Sequence, residues 1–242
     1  MTESRQARRA VDPLTREPGY LDALAGLEDP GCVACNAANR AARAYLEALL
    51  WESVNDPELR PRLRAAHGFC REHTGLVLRV ARVRAAGLGV AILYEDFLRT
   101  ARAEAEAAVE AAAERASRRR RGRRDDPLRP SRGCSACASA AAAARNCLGV
   151  LAKAEPGSPI GDGARGPGRG ICVPHLRDGL GEVEDEEGAT RLLSLFTHVE
   201  ESLGVELREF IRKHDYRFAS EPRGGEQSSW WRAPPWIVGT AP

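Results

Sequence analysis

Eight residues of this chain have the types and the spacing to bind metal. Cys32, Cys35, Cys70 and His73 form a C-x2-C…C-x2-H set, and Cys134, Cys137, Cys172 and His175 repeat it at an offset of 102 residues. In both copies 34 residues separate the two pairs. Two ligands three positions apart can grip one ion from a single tight turn, and two such pairs complete a tetrahedral shell. Read in chain order, the pattern assigns one Cys3His centre to each copy. Thiolate with imidazole suits Zn2+, so two zinc ions are the expected cofactors. An iron–sulfur cluster is the alternative, since clusters are usually held by cysteine but accept histidine. Metal-free redox dithiols are a third reading, although they leave the two CxxH halves unexplained. Four protein ligands leave no open coordination position, which points to a structural role. Oxidation of a thiolate would still release the ion and loosen what it ties together.

The repetition extends beyond the ligands. Gly31 matches Gly133, Ala41-Ala42-Arg43 matches Ala143-Ala144-Arg145, and Leu46 and Leu49 match Leu148 and Leu151. Further along, Pro57 matches Pro159, Gly68 matches Gly170, and Leu93-Tyr94 faces Leu195-Phe196. Apolar and ligand positions persist while the surface has drifted, as in an internal repeat. The seventh cysteine, Cys147, aligns with Tyr45 on an apolar helix face and reads as a packed core thiol. His67 aligns with Arg169, which argues against a ligand role, and His198 reads as a surface or satisfied core histidine.

The elements that must carry these residues are helical. Ala and Arg are abundant, and apolar residues recur at helical spacing. Helices are expected near Tyr20–Leu27, from the first CxxC to about Ser53, from Cys70 towards Gly87, and from Val90 to Ser117. In the second copy they are expected from Cys134 to Glu155, after Cys172, and from Ala189 to Lys213. The Gly- and Pro-rich stretch Gly157–Gly170 reads as a flexible loop. The fold class is therefore all-α, with two pseudo-repeats of a metal-stapled helical unit packed as a helical bundle. The boundaries are an N-terminal arm (1–30), repeat 1 (31–117), a basic linker (118–132), repeat 2 (133–213) and a C-terminal motif with a Trp/Pro-rich tail (214–242).

With 36 basic and 34 acidic residues the net charge is only +2, so composition does not call for nucleic acid. The run Arg118–Arg124 could contact RNA or DNA, but no aromatics interleave it, and a solvated hinge is favoured. No apolar segment approaches a membrane span and none opens the chain, so a cytoplasmic protein without membrane contact is expected. In that reducing compartment CxxC pairs serve as metal ligands more often than as disulfides.

Lys213-His214-Asp215-Tyr216-Arg217-Phe218 has no counterpart in the first copy. One reading is a helix C-terminal cap; the other is a docking surface or small polar site in which His214 and Asp215 carry protons. With this string, the paired CxxC…CxxH sets, Gly68-Phe69, Gly170-Ile171, Glu221-Pro222, Ser229-Trp230 and Val238-Gly239, the chain resembles DUF6062, a bacterial family of unknown function. The resemblance spans most of residues 31–239 and implies a small cytosolic bacterial protein, without an established activity or catalytic residues. The chain departs from it at Ala233-Pro234-Pro235, where the tail would otherwise continue as helix. The expected function is that of a non-enzymatic zinc-binding protein serving as an interaction or redox/metal-sensing module, with a protein partner. The alternatives are an enzyme using His214, Asp215, Tyr216, Arg217 and Phe218, or an iron–sulfur or nucleic-acid-binding regulator.

Overall fold

The computed structural model describes residues 13–118, 128–218 and 220–240. The chain adopts the all-α helical-bundle class. In order, the elements are α1 (Tyr20–Gly26), β1 (Gly31–Cys32), α2 (Val33–Glu52), α3 (Leu59–Ala65), α4 (Arg71–Val83) and α5 (Gly87–Arg118). There follow α6 (Ser135–Lys153), α7 (Pro159–Ala164), β2 (Arg169–Gly170), α8 (Val173–Glu182), α9 (Glu186–Lys213), α10 (Ser229–Arg232) and α11 (Pro234–Val238). The strands are two residues each and pair in parallel, Gly31 with Arg169 and Cys32 with Gly170. None of the described helices is long and apolar enough to cross a membrane. The basic run beyond Arg118, like the first twelve residues of the N-terminal arm, lies outside the described residues.

The chain divides into two compact units that do not follow the two sequence copies. One unit combines Met1–Ala38 with Ala142–Ala241, and the other is built from Asn39–Ala141. Helix α2 thus gives its first turn to the first unit and the rest to the second, while α6 does the reverse. A helix of 20 residues, as α2 is, advances the chain about 30 Å from the cysteines at its start. Each unit therefore takes the CxxC pair of one copy and the CxxH pair of the other.

In the first unit, Val33 and Ala34 of α2, Cys147, Leu148 and Leu151 of α6, Ile160 of α7, Ile171, and Leu192 and Leu195 of α9 form one core. Helix α9 begins where the Asp185 carboxylate accepts the Gly188 N–H at 2.6 Å, and it buries Leu192, Leu195, Val199 and Leu203 at helical spacing. The stretch Gly157–Gly170 is not the open loop its composition implies. Ser158 caps α7 by accepting the Gly161 N–H at 3.0 Å, Pro159 occupies the first turn, and Ile160 is fully buried. Backbone contact explains Gly170: a Cβ there would lie 2.4 Å from Val199 Cγ2 and 2.5 Å from the Leu195 carbonyl oxygen.

The second unit packs Leu46 and Leu49 of α2, Leu63 of α3, Leu76, Val77 and Val80 of α4, and Leu93 and Phe97 of α5. Helix α3 has no clear apolar periodicity in the sequence. It starts because Asp56 Oδ1 accepts the N–H groups of Glu58 and Leu59, at 2.8 and 3.1 Å. Asp96 of α5 then fixes it. This carboxylate, with only 5% of its side chain exposed, meets Arg60 at 3.0 Å, Arg64 at 3.1 Å and Arg99 at 3.2 Å. Burial alone would raise its pKa, but the hydrogen bonds and charge of the arginines win and hold it below the usual carboxylate range. From the secured α3, Ala65 O accepts the N–H groups of Ser131 and Arg132, and Leu63 O accepts that of Gly68. Those bonds lead the chain to Cys134 on one side and Cys70 on the other.

Asp96→Asn should therefore cost about 2 kcal/mol near neutral pH, as expected for weakening a buried charge-assisted network. Because the folded carboxyl lies below its unfolded value near 3.9, its contribution is complete above about pH 4 and is lost as pH falls through the folded value. In urea denaturation the gap between wild type and variant should close in acid. A gap of constant size between about pH 7 and about pH 3 would contradict the clamp.

Candidate metal centres

Each ligand pair sits at the start of a helix. Cys32 and Cys134 immediately precede α2 and α6, while Cys70 and Cys172 are the N-cap residues of α4 and α8. The partner in each pair, Cys35, Cys137, His73 or His175, lies three residues on, in the first turn. That spacing puts both side chains on one side of the helix start, where the partial positive charge of the helix favours thiolates.

All eight ligands read from the sequence are gathered, but in the opposite combination. Cys32, Cys35, Cys172 and His175 form the first site; Cys70, His73, Cys134 and Cys137 form the second. Within each group the ligand atoms lie within 4.8 Å of one another and could hold a metal ion. One Cys3His centre per sequence copy is therefore corrected to two centres that each join both copies. The cause at the first site is the β1–β2 pairing, which lays Cys32 beside Gly170 and so beside Cys172. At the second site it is α3, whose end holds the segments entering Cys70 and Cys134.

At the first site, Cys35 Sγ lies 3.7 Å from Cys172 Sγ, and His175 Nδ1 lies 3.4, 3.3 and 3.2 Å from the sulfurs of Cys32, Cys35 and Cys172. Backbone N–H groups support the sulfurs: Cys35 and Cys172 donate to Cys32 at 3.5 and 3.3 Å, and Thr240 donates to Cys35 at 3.5 Å. All three cysteines are buried. Burial, then hydrogen bonding with Cys172 and Cys35, pushes the Cys32 thiol well up. Hydrogen bonds from Cys172 and Cys32 hold Cys35 far below its ordinary value. Burial works against a charged His175, yet Cys172 and Cys35 outweigh it and raise the imidazole to about 10.

At the second site, Cys70 Sγ lies 3.6 Å from Cys137 Sγ, and His73 Nδ1 lies 3.2, 3.7 and 3.3 Å from the sulfurs of Cys70, Cys134 and Cys137. Cys137 is exposed, Cys70 and Cys134 half-buried, and His73 buried. Burial, followed by hydrogen bonding with Cys70, raises Cys137 to about 12. Burial also opposes ionisation of Cys134, but the backbone N–H bonds around it prevail and lower it. His73 is lowered by burial. Arg62 and Arg132, which no sequence motif marks, line a cavity of about 240 Å³ with Cys134 and Ser135.

The remaining candidates fall into other roles. Cys147 is fully buried in the first core, and burial pushes its thiol up, as expected of an inert packed cysteine. His67 pairs with Glu104 at 2.7 Å, and His198 is exposed. In the KHDYRF string the side chains do not converge on one point. His214 donates to the Phe210 carbonyl at 2.7 Å, Asp215 pairs with Arg217 at 2.6 Å, and Tyr216 is 87% exposed. Phe218 lies under the Arg212 guanidinium, 4.5 Å from ring centre to carbon. Lys213 binds the Pro222 carbonyl at 2.6 Å and Glu226 at 3.1 Å, and Arg212 pairs with Glu209 and Glu221. The string thus ends α9 and ties down the tail. The tail is ordered despite Pro234-Pro235, because proline in a first turn starts α11 rather than ending a helix. Trp236 packs on the first core, while Trp230 and Trp231 are exposed.

The chain belongs to the DUF6062 family, a family of unknown function, whose profile matches residues 21–242. A relative described as "Uncharacterized 23.9 kDa protein in xynA 3'region", from Caldicellulosiruptor sp. (strain Rt8B.4), is 34% identical over 77 residues. That match covers 32% of this chain and 36% of the relative, so the chain spans little more than a third of it. No solved structure matches.

If the string anchors the tail, Lys213→Ala should lower the melting temperature by a few degrees, whereas Tyr216→Ala should leave it unchanged. Differential scanning fluorimetry separates the two. A larger loss with Tyr216→Ala would argue against the anchoring role.

Proposed function

We propose that this is a non-enzymatic zinc protein whose two ions organise the helices into a platform for a protein partner, with redox or metal sensing resident in the thiolates. The carrying observation is the spacing of the ligand atoms. Zinc bonds of about 2.3 Å to sulfur and about 2.05 Å to nitrogen imply tetrahedral edges of about 3.8 Å between sulfurs and about 3.6 Å between sulfur and nitrogen. The Cys35–Cys172 and Cys70–Cys137 distances of 3.7 and 3.6 Å, and sulfur–nitrogen distances of 3.2–3.7 Å, match those edges to within a few tenths of an ångström. A multi-iron cluster spreads its cysteines over several metal atoms, so ligand atoms confined within 4.8 Å favour a single ion.

Bound there, zinc would supply charge neutralisation and a fixed tetrahedral geometry. Four protein ligands would fill its shell and leave no place for a substrate. An enzymatic reading centred on His214–Arg217 gains no support, because His214 and Asp215 are each engaged with a different local partner. A reducing, cytoplasmic setting suits reduced thiols at this spacing.

Elemental analysis of anaerobically purified protein, with its visible spectrum, tests this reading. About two zinc ions per chain and no visible absorption are expected. Iron with sulfide and a brown chromophore would overturn it.

A further inference from the structure

The two sites share a ligand set but differ in what covers them. In the first site Cys32, Cys35 and Cys172 are each at most 3% exposed, and the C-terminal tail lies over them. Helix α11 packs on α8, Trp236 reaches the core, and Thr240 donates its N–H to Cys35 Sγ. Gly239 makes this approach possible. Its φ of +82° is a conformation that other residues rarely adopt, while a Cβ there, 3.7 Å from Cys35 Sγ, would make only ordinary contact. In the second site Cys137 is exposed, Cys70 and Cys134 are half-buried, and the cavity lined by Arg62 and Arg132 opens beside Cys134.

Resting on the zinc reading above, we propose that the second site is an oxidant-reactive modification site, whose Cys137 and Cys70 are converted by hydrogen peroxide to a disulfide with release of its ion. The first site is the permanent anchor, shielded by the tail. The sulfurs of Cys137 and Cys70 are 3.6 Å apart, near enough to bond after a small movement. The exposed Cys137 sulfur, which zinc would hold as the thiolate, attacks hydrogen peroxide, giving a sulfenic acid and a hydroxide that takes up a proton to become water. The Cys70 thiolate then attacks the sulfenic sulfur, forming the S–S bond and expelling a second hydroxide, which is also protonated. Two thiolates are oxidised by two electrons in total, one peroxide is reduced to two waters, and two protons are consumed. The ion, left with His73 and Cys134 alone, dissociates.

The test uses full-length protein, hydrogen peroxide, and a chromophoric zinc chelator that reports free ion. Metal content is read first; fewer than two ions per chain would count against the zinc reading, and this inference would fall with it. With two ions present, one equivalent should appear at least about tenfold faster than the other. Disulfide mapping after the fast phase should join Cys137 to Cys70, with Cys32, Cys35 and Cys172 still open to alkylation on denaturation. Gly239→Val, which strains the tail backbone at its positive φ and replaces no ligand, should speed the slow phase towards the fast one. Simultaneous release of both ions from the wild type, or a first disulfide within Cys32, Cys35 and Cys172, would overturn the proposal. A slow phase unchanged in Gly239→Val would overturn the shielding role of the tail.

Discussion

Two helix starts held against each other by four soft ligands form the contact on which the rest of this structure depends. At the first site the starts are those of α2 and α8; at the second they are those of α4 and α6. A helix start concentrates unpaired N–H groups, and thiolates are suitable neighbours for them. The same geometry creates the difficulty that a cation would resolve. Three sulfurs and an imidazole lie within 4.8 Å; burial, then hydrogen bonding with neighbouring cysteines, pushes Cys32 and Cys137 up, while hydrogen bonds from Cys172 and Cys32 hold Cys35 down. A metal ion bound there would place one positive charge among the sulfurs, and its binding energy would become folding energy.

Joining the CxxC of one copy to the CxxH of the other has an energetic consequence. Cys35 and Cys172 are 137 residues apart in the chain, against 35 for Cys35 and Cys70 within one copy. The logarithmic cost of loop closure makes the longer link worth about 1 kcal/mol more in lost unfolded-state freedom. For units whose cores are built largely from alanine, leucine and valine, metal cross-links of this kind would compensate for modest apolar burial. The elements without ligands then serve the sites. Asp96 steadies α3 so that Cys70 and Cys134 meet, Gly170 lets β2 lie on α9 so that Cys32 meets Cys172, and Lys213 ties down the tail that covers Cys35.

The sequence made the ligands and most helices legible because both are local. An i, i+3 pair at a helix start needs only neighbouring residues, and the apolar stripe of α9 is written in one stretch. The partner of each pair is not local. Spans of 34 residues occur in both copies, so chain order and the crossed arrangement fit the spacing equally well. Helix α7 was hidden by glycine and proline, whose placement beside the Ser158 cap matters more than their number. The KHDYRF string drew attention as chemistry because its side chains are reactive types. The Phe210 carbonyl, Glu226 and the Pro222 carbonyl are partners within the fold, as its reading as a helix cap expects.

The crossed arrangement is tested most directly by the metal content of two paired-cysteine variants. In Cys35→Ala/Cys172→Ala both substitutions fall in the first site, so the protein should retain one ion. In Cys35→Ala/Cys70→Ala they fall in different sites, and both ions should be lost or weakened together. If instead Cys35→Ala/Cys70→Ala keeps one tightly bound ion and Cys35→Ala/Cys172→Ala keeps none, each copy builds its own centre and the crossed pairing is wrong.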